Sequence, residues 1–196
     1  MQHKFIRSAV TGPICSGKTT LSEHLREKGY IIISWDEIYY WLLENDKDLQ
    51  IKLIYAFSLK TSPEKISAQI ILEALREKVF KRDDMIRLLN SITHPKIQKK
   101  AFEKEAELVL KYENSFQEAP NPDNLYPLVV HEIPLLYQAG LQSKFDRIYI
   151  CLASNKVLLD RVQKRYEISE MEAQLRIDAT QFNFPIHDDK VIVVNT

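Results

Sequence analysis

A glycine-bounded segment near the start of the chain has the residue types of a phosphate-binding loop. Residues 12–19 read Gly-Pro-Ile-Cys-Ser-Gly-Lys-Thr, which fits the pattern G-x-x-x-x-G-K-[ST]. The backbone N–H groups of such a loop face phosphate oxygens, and the following helix adds its positive N-terminal dipole. Lys18 can then reach the β- and γ-phosphates of a nucleotide, and the Thr19 hydroxyl can bind Mg²⁺. The alternative interpretation is an ordinary glycine turn with a lysine at a helix start.

The hydrophobic pattern places this loop between a strand and a helix, which is the context in which it binds phosphate. It predicts a helix over Lys18–Lys28 that Gly29 ends. Short apolar runs predict five strands, over Lys4–Val10, Tyr30–Ser34, Tyr126–Glu132, Arg147–Leu152 and Lys190–Val194. Strands separated by helices favour an α/β fold with a parallel sheet flanked by helices. Together with the loop, this pattern predicts a P-loop NTPase fold.

The remaining segments are mostly helical in pattern. Asp36–Gln117 reads as a helical region with breaks near Asn45–Asp46, Thr61–Pro63, Lys81–Asp83 and His94–Pro95. The last of its helices is expected to start at Pro95, since proline suits the first turn. A linker is predicted at 119–124 from its prolines and asparagines. Two further helices are predicted over Ser154–Tyr166 and Ser169–Thr180.

Length and composition favour one globular domain and exclude several protein classes. The chain has 196 residues, with 27 Lys plus Arg against 27 Asp plus Glu. This neutral balance argues against a dedicated nucleic-acid binder, which usually has a basic excess. No apolar run approaches the about 20 residues of a membrane helix, and we expect no secretory signal. The only cysteines, Cys15 and Cys151, predict no disulfide framework and a reducing, cytoplasmic location.

Five segments in order along the chain resemble the dephospho-CoA kinase family, a group of P-loop kinases similar to nucleoside monophosphate kinases. They read AVTGPICSGKTTL, IIISWDEI, VFKRDDMIRLLNSITHP, VVHEIPLLYQAGL and RVQKRYEISEMEAQLRIDATQ. This resemblance covers nearly the whole chain and is far more specific than the loop alone. The chain departs from the family pattern at three positions. Ser34 and Glu132 each stand where the family has an Asp, and Gln138 stands where it has a Glu.

The resemblance implies a reaction and an organisation. The family transfers a phosphoryl group from ATP, with Mg²⁺, to the ribose 3′-hydroxyl of dephospho-CoA, which is the last step of coenzyme A synthesis. It implies a nucleotide-binding core at about 1–35, 126–153 and 188–196, a helical substrate-binding insert at about 36–118 and a helical lid at about 154–187. We expect a cytoplasmic enzyme with a small-molecule acceptor, no nucleic-acid or membrane partner, and a monomeric or small homo-oligomeric state.

The resemblance also assigns roles to individual residues. Its catalytic residues fall on Asp36, Lys18 and Arg165, and its acceptor-binding residues on Asp36, His94, Glu132 and Arg176. The nucleotide-binding set falls on Gly12, Pro13, Ile14, Cys15, Ser16, Gly17, Lys18, Thr19, Thr20, Arg161 and Arg165. In these roles Asp36 takes the proton of the attacking hydroxyl, and the arginines neutralise charge on the transferred phosphoryl group.

Each of these residues outside the loop has a structural alternative. Asp36 can cap a helix that begins at Glu37, and Glu132 can cap one that begins at Pro134. His94 can be a capping or core histidine. The arginines can form a solvated basic face with Asp160 and Glu167.

Other conspicuous residues favour structural roles. An aromatic cluster can stack on an adenine or line a pantetheine groove, but its helical spacing favours packing; it consists of Trp35, Tyr39, Tyr40 and Trp41. Cys15 is interpreted as loop filler and His131 as structural. Two other functions remain open: a different small-metabolite or nucleotide kinase, and a nucleotide-binding homologue without transferase activity, which Ser34 and Gln138 motivate.

Overall fold

The computed structural model describes residues 5–61, 67–79, 82–115 and 128–196. The chain divides into two compact units. One unit contains the residues up to Ser34 and from Glu107 onward, and the other contains Trp35–Ala106. None of the helices within the described ranges is long and apolar enough to cross a membrane.

The first unit is built on a parallel sheet of five strands. The strands are β1 (Ile6–Thr11), β2 (Ile31–Ser34), β3 (Leu128–Glu132), β4 (Arg147–Leu152) and β5 (Val191–Asn195). Their order in the sheet is β2-β3-β1-β4-β5, and every pair is parallel. The predicted α/β fold with a five-stranded parallel sheet is therefore confirmed, and each predicted strand is present.

Helices pack on this sheet because its strands are apolar along most of their length. Along the chain, helix α1 (Lys18–Glu27) follows β1. Helices α6 (Asn155–Tyr166) and α7 (Glu170–Asp178) follow β4 and precede β5. One core cluster joins Val10, Leu25, Val130 and Cys151. Because β1 is the central strand and ends at Thr11, the loop that follows it starts at the middle of the sheet's carboxyl edge.

The second unit consists of helices. They are α2 (Trp35–Asn45), α3 (Lys47–Phe57), α4 (Ala68–Val79) and the part of α5 (Asp83–Ser115) up to Ala106. The α2–α3 junction is fixed by Gln50, whose side-chain amide donates to the Leu43 carbonyl at 2.7 Å. The predicted break near 45–46 lies between α2 and α3. The predicted breaks near 61–63 and 81–83 fall partly on residues outside the described ones, and the predicted linker at 119–124 lies wholly outside them.

The predicted break at His94–Pro95 is wrong, because α5 continues through Pro95. Proline removes one backbone hydrogen bond within a helix. The helix nevertheless buries a continuous face on both sides of it, formed by Thr93, Ile97, Ala101 and Glu105. This spacing of four residues places the buried side chains on one stripe, and the packing of that stripe outweighs the lost bond.

The helix expected after Pro134 is also absent, since residues 134–140 form turns. Their hydrogen bonds vary in span: Ala139 donates to Leu135, Gly140 to Tyr137 and Leu141 to Leu136. No single helical repeat is therefore established. Other boundaries shift by one or two residues; for example, Ser154 and Ser169 cap α6 and α7 from outside and do not belong to the helices.

Asp46 holds the start of α3 and the middle of α5 together. Its carboxylate accepts a hydrogen bond from the Leu49 amide at 2.9 Å and one from Lys96 Nζ at 2.6 Å. Lys96 also pairs with Asp48 at 2.9 Å. Partial burial acts to raise the pKa of Asp46, but the bonds from Lys96 and Leu49 outweigh it and leave that pKa below its ordinary value.

We predict that Asp46→Asn lowers the free energy of unfolding by about 0.5–1 kcal/mol at pH 7, because it keeps the cap but removes the ion pair. Asp46→Ala costs about 1 kcal/mol more, since the cap is also lost. A lowered folded pKa stabilises the protein above the ordinary value of 3.8. The difference between wild type and Asp46→Asn therefore disappears as the pH falls below that value.

Urea unfolding between pH 3 and pH 7 measures this difference, with Asp48→Asn as the matched control. Asp48 shares Lys96 but is more exposed and provides no cap, so its variant changes stability less. A difference for Asp46→Asn that stays constant across this pH range contradicts the prediction.

Candidate functional site

The loop between β1 and α1 is held against the neighbouring strand by a close backbone approach. Gly12 has a φ of 143°, and a Cβ placed there lies 2.3 Å from the Cys151 carbonyl oxygen of β4. Gly17 has a φ of 84° and directly precedes α1. A Cβ on Gly17 lies 3.0 Å from the methyl group of Thr196. Both glycines of the motif are therefore favoured by backbone conformation, and Gly12 is also required by space.

The Lys18 ammonium group lies against the backbone of this loop. It donates to the Gly12 carbonyl at 3.0 Å and to the Pro13 carbonyl at 2.7 Å. Lys18 is the first residue of α1, so its charge lies at the positive end of that helix. A cation beside a helix N-terminus forms the electrostatic environment that a phosphate group requires.

Thr19 and Glu132 bring two oxygen atoms together beside the loop. The Thr19 hydroxyl donates to Glu132 Oε1 at 2.9 Å. Glu132 is the last residue of β3 and pairs in register with Val10 of β1, so the sheet itself brings it beside the start of α1. Because no helix begins at Pro134, the alternative role of Glu132 as a cap for such a helix is wrong.

Three side chains from distant parts of the chain hold the outer part of the loop. Arg161 of α6 donates to the Cys15 carbonyl at 3.3 Å and to the Thr196 hydroxyl at 3.1 Å. The Thr196 hydroxyl lies 3.1 Å from the Ser16 carbonyl, to which it can donate. The Thr180 hydroxyl accepts from the Ile14 amide at 2.9 Å.

Thr180 and Thr196 are site residues that the sequence analysis missed. Thr180 is the last residue of a predicted helix and Thr196 lies two residues after a predicted strand, and nothing in their local sequence distinguishes them from ordinary surface threonines. Only the packing of α7 and the pairing of β5 with β4 bring them to the loop. Cys15, in contrast, packs against the apolar core of α6 and α7, as expected for a loop filler.

Helices α6 and α7 form a hairpin with its own apolar core. Leu158 and Val162 of α6 pack against Ala173 and Ile177 of α7. The predicted placement of Arg161 and Arg165 on α6 and of Arg176 on α7 agrees with the element bounds. Asp160 pairs with Lys164 at 2.9 Å.

The tyrosine at the end of α6 lies beside two of these arginines. Arg176 Cζ lies 4.6 Å from the centre of the Tyr166 ring, and Arg165 Cζ lies 5.6 Å from it. Tyr166 is not among the candidate residues predicted from the sequence.

The helical unit carries the other candidate residues, Asp36 and His94. Asp36 is exposed in the first turn of α2. Because α2 begins at Trp35 and not at Glu37, the interpretation of Asp36 as its N-cap is wrong. His94 is half-buried in α5, and burial lowers the pKa of its imidazole. His94 is therefore mainly neutral at pH 7.

The aromatic cluster divides into packing residues and exposed residues. Trp35 is buried and meets Phe102 edge-on, with ring centres 6.4 Å apart. Burial raises the pKa of Tyr39 to about 12. Tyr40 and Trp41 are about half exposed, and Lys100 Nζ lies 4.8 Å from the centre of a Trp41 ring.

His131, which was expected to be structural, is fully buried in β3 and packs edge-on against Phe145. Among the residues that the structure describes, no group of three or more His, Cys, Asp and Glu side chains is arranged to hold a metal ion. The two oxygens of Thr19 and Glu132 remain the candidate donors beside the loop.

Comparison with known proteins identifies what this chain is similar to. A family model described as dephospho-CoA kinase matches residues 7–184. A dephospho-CoA kinase from Moorella thermoacetica is 31% identical over 170 residues, which cover 87% of this chain and 74% of that protein. One from Carboxydothermus hydrogenoformans is 32% identical, with 87% and 75% covered. The solved dephospho-CoA kinase from Campylobacter jejuni has a TM-score of 0.57 at 26% identity, covering 97% of this chain and 88% of that chain.

We predict that Gly12→Ala disrupts the loop, because the added Cβ meets a backbone oxygen that cannot move without displacing β4. The expected loss in the free energy of unfolding is at least about 2 kcal/mol. Gly140→Ala is the matched control, since Gly140 also has a positive φ, of 67°, but nothing lies within 4 Å of a Cβ there. That control costs about 1–2 kcal/mol, for conformation alone.

Thermal unfolding with and without ATP checks this prediction. Gly12→Ala should also lose most of the ATP-dependent rise in melting temperature, whereas Gly140→Ala keeps it. If the two variants respond equally to ATP, the close approach at Gly12 does not shape the site.

Proposed function

We propose that this chain, which belongs to the dephospho-CoA kinase family, transfers the γ-phosphoryl group of ATP to the ribose 3′-hydroxyl of dephospho-CoA and so forms coenzyme A. The observation that carries the proposal is the loop at Gly12–Thr19. It has the conformation, the lysine and the helix N-terminus that a triphosphate needs, in a chain that matches the family model over residues 7–184.

The residues around the loop supply a nucleotide site. Residues 12–20 surround the phosphates, and their backbone N–H groups donate to phosphate oxygens except at Pro13, which has none, and at Ile14, whose N–H donates to Thr180. Lys18 contributes an ammonium group with three donors. Arg161 lies at the edge of this loop through its bonds to Cys15 and Thr196, and Arg165 lies one turn further along α6. These positions support binding of ATP by both arginines.

Mg²⁺ fits beside this site. The hydroxyl of Thr19 and the carboxylate of Glu132 are hard oxygen donors, which Mg²⁺ prefers, and they lie 2.9 Å apart. We propose that Thr19 binds the ion through its hydroxyl, with Glu132 next to it. When bound, Mg²⁺ neutralises charge on the β- and γ-phosphate oxygens. We also propose that Glu132 contributes to binding the acceptor, as the resemblance to the family implies.

Asp36 is the proposed proton acceptor. A ribose hydroxyl is a weak nucleophile, and a positioned carboxylate can orient it and take its proton as the bond to phosphorus forms. The exposure of Asp36 leaves it accessible to an acceptor. We propose that His94, as a neutral imidazole, accepts or donates a hydrogen bond to the acceptor.

Arg165 and Arg176 are proposed to stabilise the transferred phosphoryl group, on which negative charge spreads in the transition state. We propose that residues 154–187 form a lid that brings Arg165 and Arg176 to the phosphates, and that 36–118 form the acceptor-binding region. We also propose a cytoplasmic enzyme, monomeric or a small homo-oligomer, with only small-molecule partners. The neutral net charge supports the absence of a nucleic-acid partner.

An assay with ATP, MgCl₂ and dephospho-CoA tests the function. The expected products are ADP and coenzyme A, with the new phosphate on the 3′-oxygen by ³¹P NMR. A different kinase specificity appears as ADP formation only with other acceptors, such as nucleosides and sugars. ATP binding without any transfer identifies the chain as a nucleotide-binding homologue, the alternative that Ser34 and Gln138 motivate. Either outcome contradicts the proposal.

We predict that Asp36→Asn lowers turnover with dephospho-CoA by about 100-fold or more, within the range of general-base contributions. Asparagine keeps the size, and the side chain at this position is exposed, so the variant should fold and bind ATP normally. Glu37→Gln, in the same turn, is the matched control and should keep its turnover. Melting temperature and turnover are measured on one preparation. Near-normal turnover of a folded Asp36→Asn variant shows that the proton acceptor lies elsewhere.

We predict that Arg165→Ala lowers kcat by about 100-fold, comparable to the loss of a donor that acts only on the transition state, and changes the Kd for ATP much less. Lys164→Ala is the control, because Lys164 is the neighbouring cation on α6 and pairs with Asp160. Single-turnover kinetics and isothermal titration calorimetry separate the two effects. A loss of ATP affinity proportional to the loss of kcat contradicts the role in the transition state.

A further inference from the structure

The end of α6 fixes the backbone of Tyr166, whose ring lies near two arginines. Tyr166 is the last residue of α6, and Glu167 follows it in the left-handed conformation with a φ of 52°. The Glu167 amide donates to the Gln163 carbonyl at 2.8 Å. Ile168 then packs on the core that joins α6 to α7. The Tyr166 ring is thereby attached at a defined turn, although more than a third of its surface is exposed.

The ring lies near two guanidinium groups. In the proposed function, both stabilise the transition state. Arg176 Cζ is 4.6 Å from the ring centre and Arg165 Cζ is 5.6 Å from it. Both distances lie within the about 6 Å over which a cation is attracted to an aromatic ring. One residue of α6 therefore contacts a cation from its own helix and one from α7.

An aromatic ring differs from a carboxylate as a partner for arginine. A carboxylate binds a guanidinium group and neutralises its positive charge. An aromatic ring also binds the group, but it carries no net charge and leaves the positive charge uncompensated. The nearby acidic residue Asp160 pairs with Lys164. Among the described residues, Arg165 and Arg176 are not within 4.0 Å of a carboxylate. Their full positive charge is consequently retained for a phosphate.

We propose that Tyr166 is a positioning residue that holds Arg176, and more weakly Arg165, in place for the transferred phosphoryl group. The proposal rests on the proposed function. Two long side chains lose rotamer entropy when a phosphate orders them, and the ring reduces that loss because it restricts them beforehand. Tyr166 acts through the arginines and does not itself contact the reacting atoms.

Tyr166→Leu and Tyr166→Phe test the proposal. Leucine keeps apolar bulk but removes the ring, whereas phenylalanine keeps the ring and removes only the hydroxyl. An exposed cation–π contact corresponds to about a two- to fivefold effect, so Tyr166→Leu should lower kcat about two- to fivefold with little change in the KM for ATP. Tyr166→Phe should stay within about twofold of wild type. Equal losses in the two variants contradict the proposal.

A double-mutant cycle separates positioning from packing. In an Arg176→Ala background, the added change Tyr166→Leu should reduce kcat by a smaller factor than it does in wild type, because the main group that the ring positions is gone. A merely structural tyrosine gives the same factor in both backgrounds and lowers the melting temperature. If Tyr166→Leu is itself unstable, Tyr166→Met provides the same test with a longer apolar side chain.

A readout that needs no activity distinguishes this proposal from the proposed function. The Nε–H NMR signals of Arg176 and Arg165 should carry a ring-current shift, which disappears in Tyr166→Leu and persists in Tyr166→Phe. Absent shifts in wild type overturn the positioning role, whatever the turnover. If the wild-type protein shows these shifts but has no turnover on dephospho-CoA, the ring contact is confirmed and the proposed reaction is contradicted. The role of Tyr166 in that reaction is then contradicted as well.

Discussion

The close approach of the Gly12 backbone to the end of β4 is the constraint on which the nucleotide site depends. A side chain on Gly12 would meet the Cys151 carbonyl oxygen at 2.3 Å, so the chain can leave the central strand in this direction only at a glycine. The turn that follows brings Lys18 to the N-terminus of α1. The helix dipole, the ammonium group and the loop amides then share one location, and each favours negative charge there.

The rest of the loop is fixed by groups that lie far away in the chain. Three side chains bond to the loop backbone: Arg161 of α6, Thr180 just after α7 and Thr196 just after β5. These contacts require the sheet order, since β5 reaches the loop only because it pairs with β4 beside the central strand. The site is therefore a product of the parallel topology as much as of its motif.

This dependence on tertiary packing explains which features could be predicted from the sequence. The loop, the five strands and the family were predictable, because each is encoded in a local pattern or an ordered set of motifs, and the match over residues 7–184 confirms the family. The continuity of α5 through Pro95 was not predictable from proline alone, because a buried stripe on either side of it decides the outcome. Thr180 and Thr196 were missed for the same reason, since only tertiary packing gives them a partner.

Charge is used differently in the two units of the chain. In the helical unit, Lys96 of α5 forms ion pairs with Asp46 and Asp48. Its charge is therefore neutralised by the carboxylates at the start of α3.

On α6 and α7, Arg161 and Arg176 contact uncharged groups instead. Arg161 bonds to a carbonyl and a hydroxyl, and Arg176 lies against the Tyr166 ring. A carbonyl, a hydroxyl or a ring restricts the guanidinium group without cancelling its charge. In the proposed function, a polyanionic ligand meets cations that are already ordered and does not have to displace a carboxylate from them, which favours electrostatic stabilisation of a phosphoryl group.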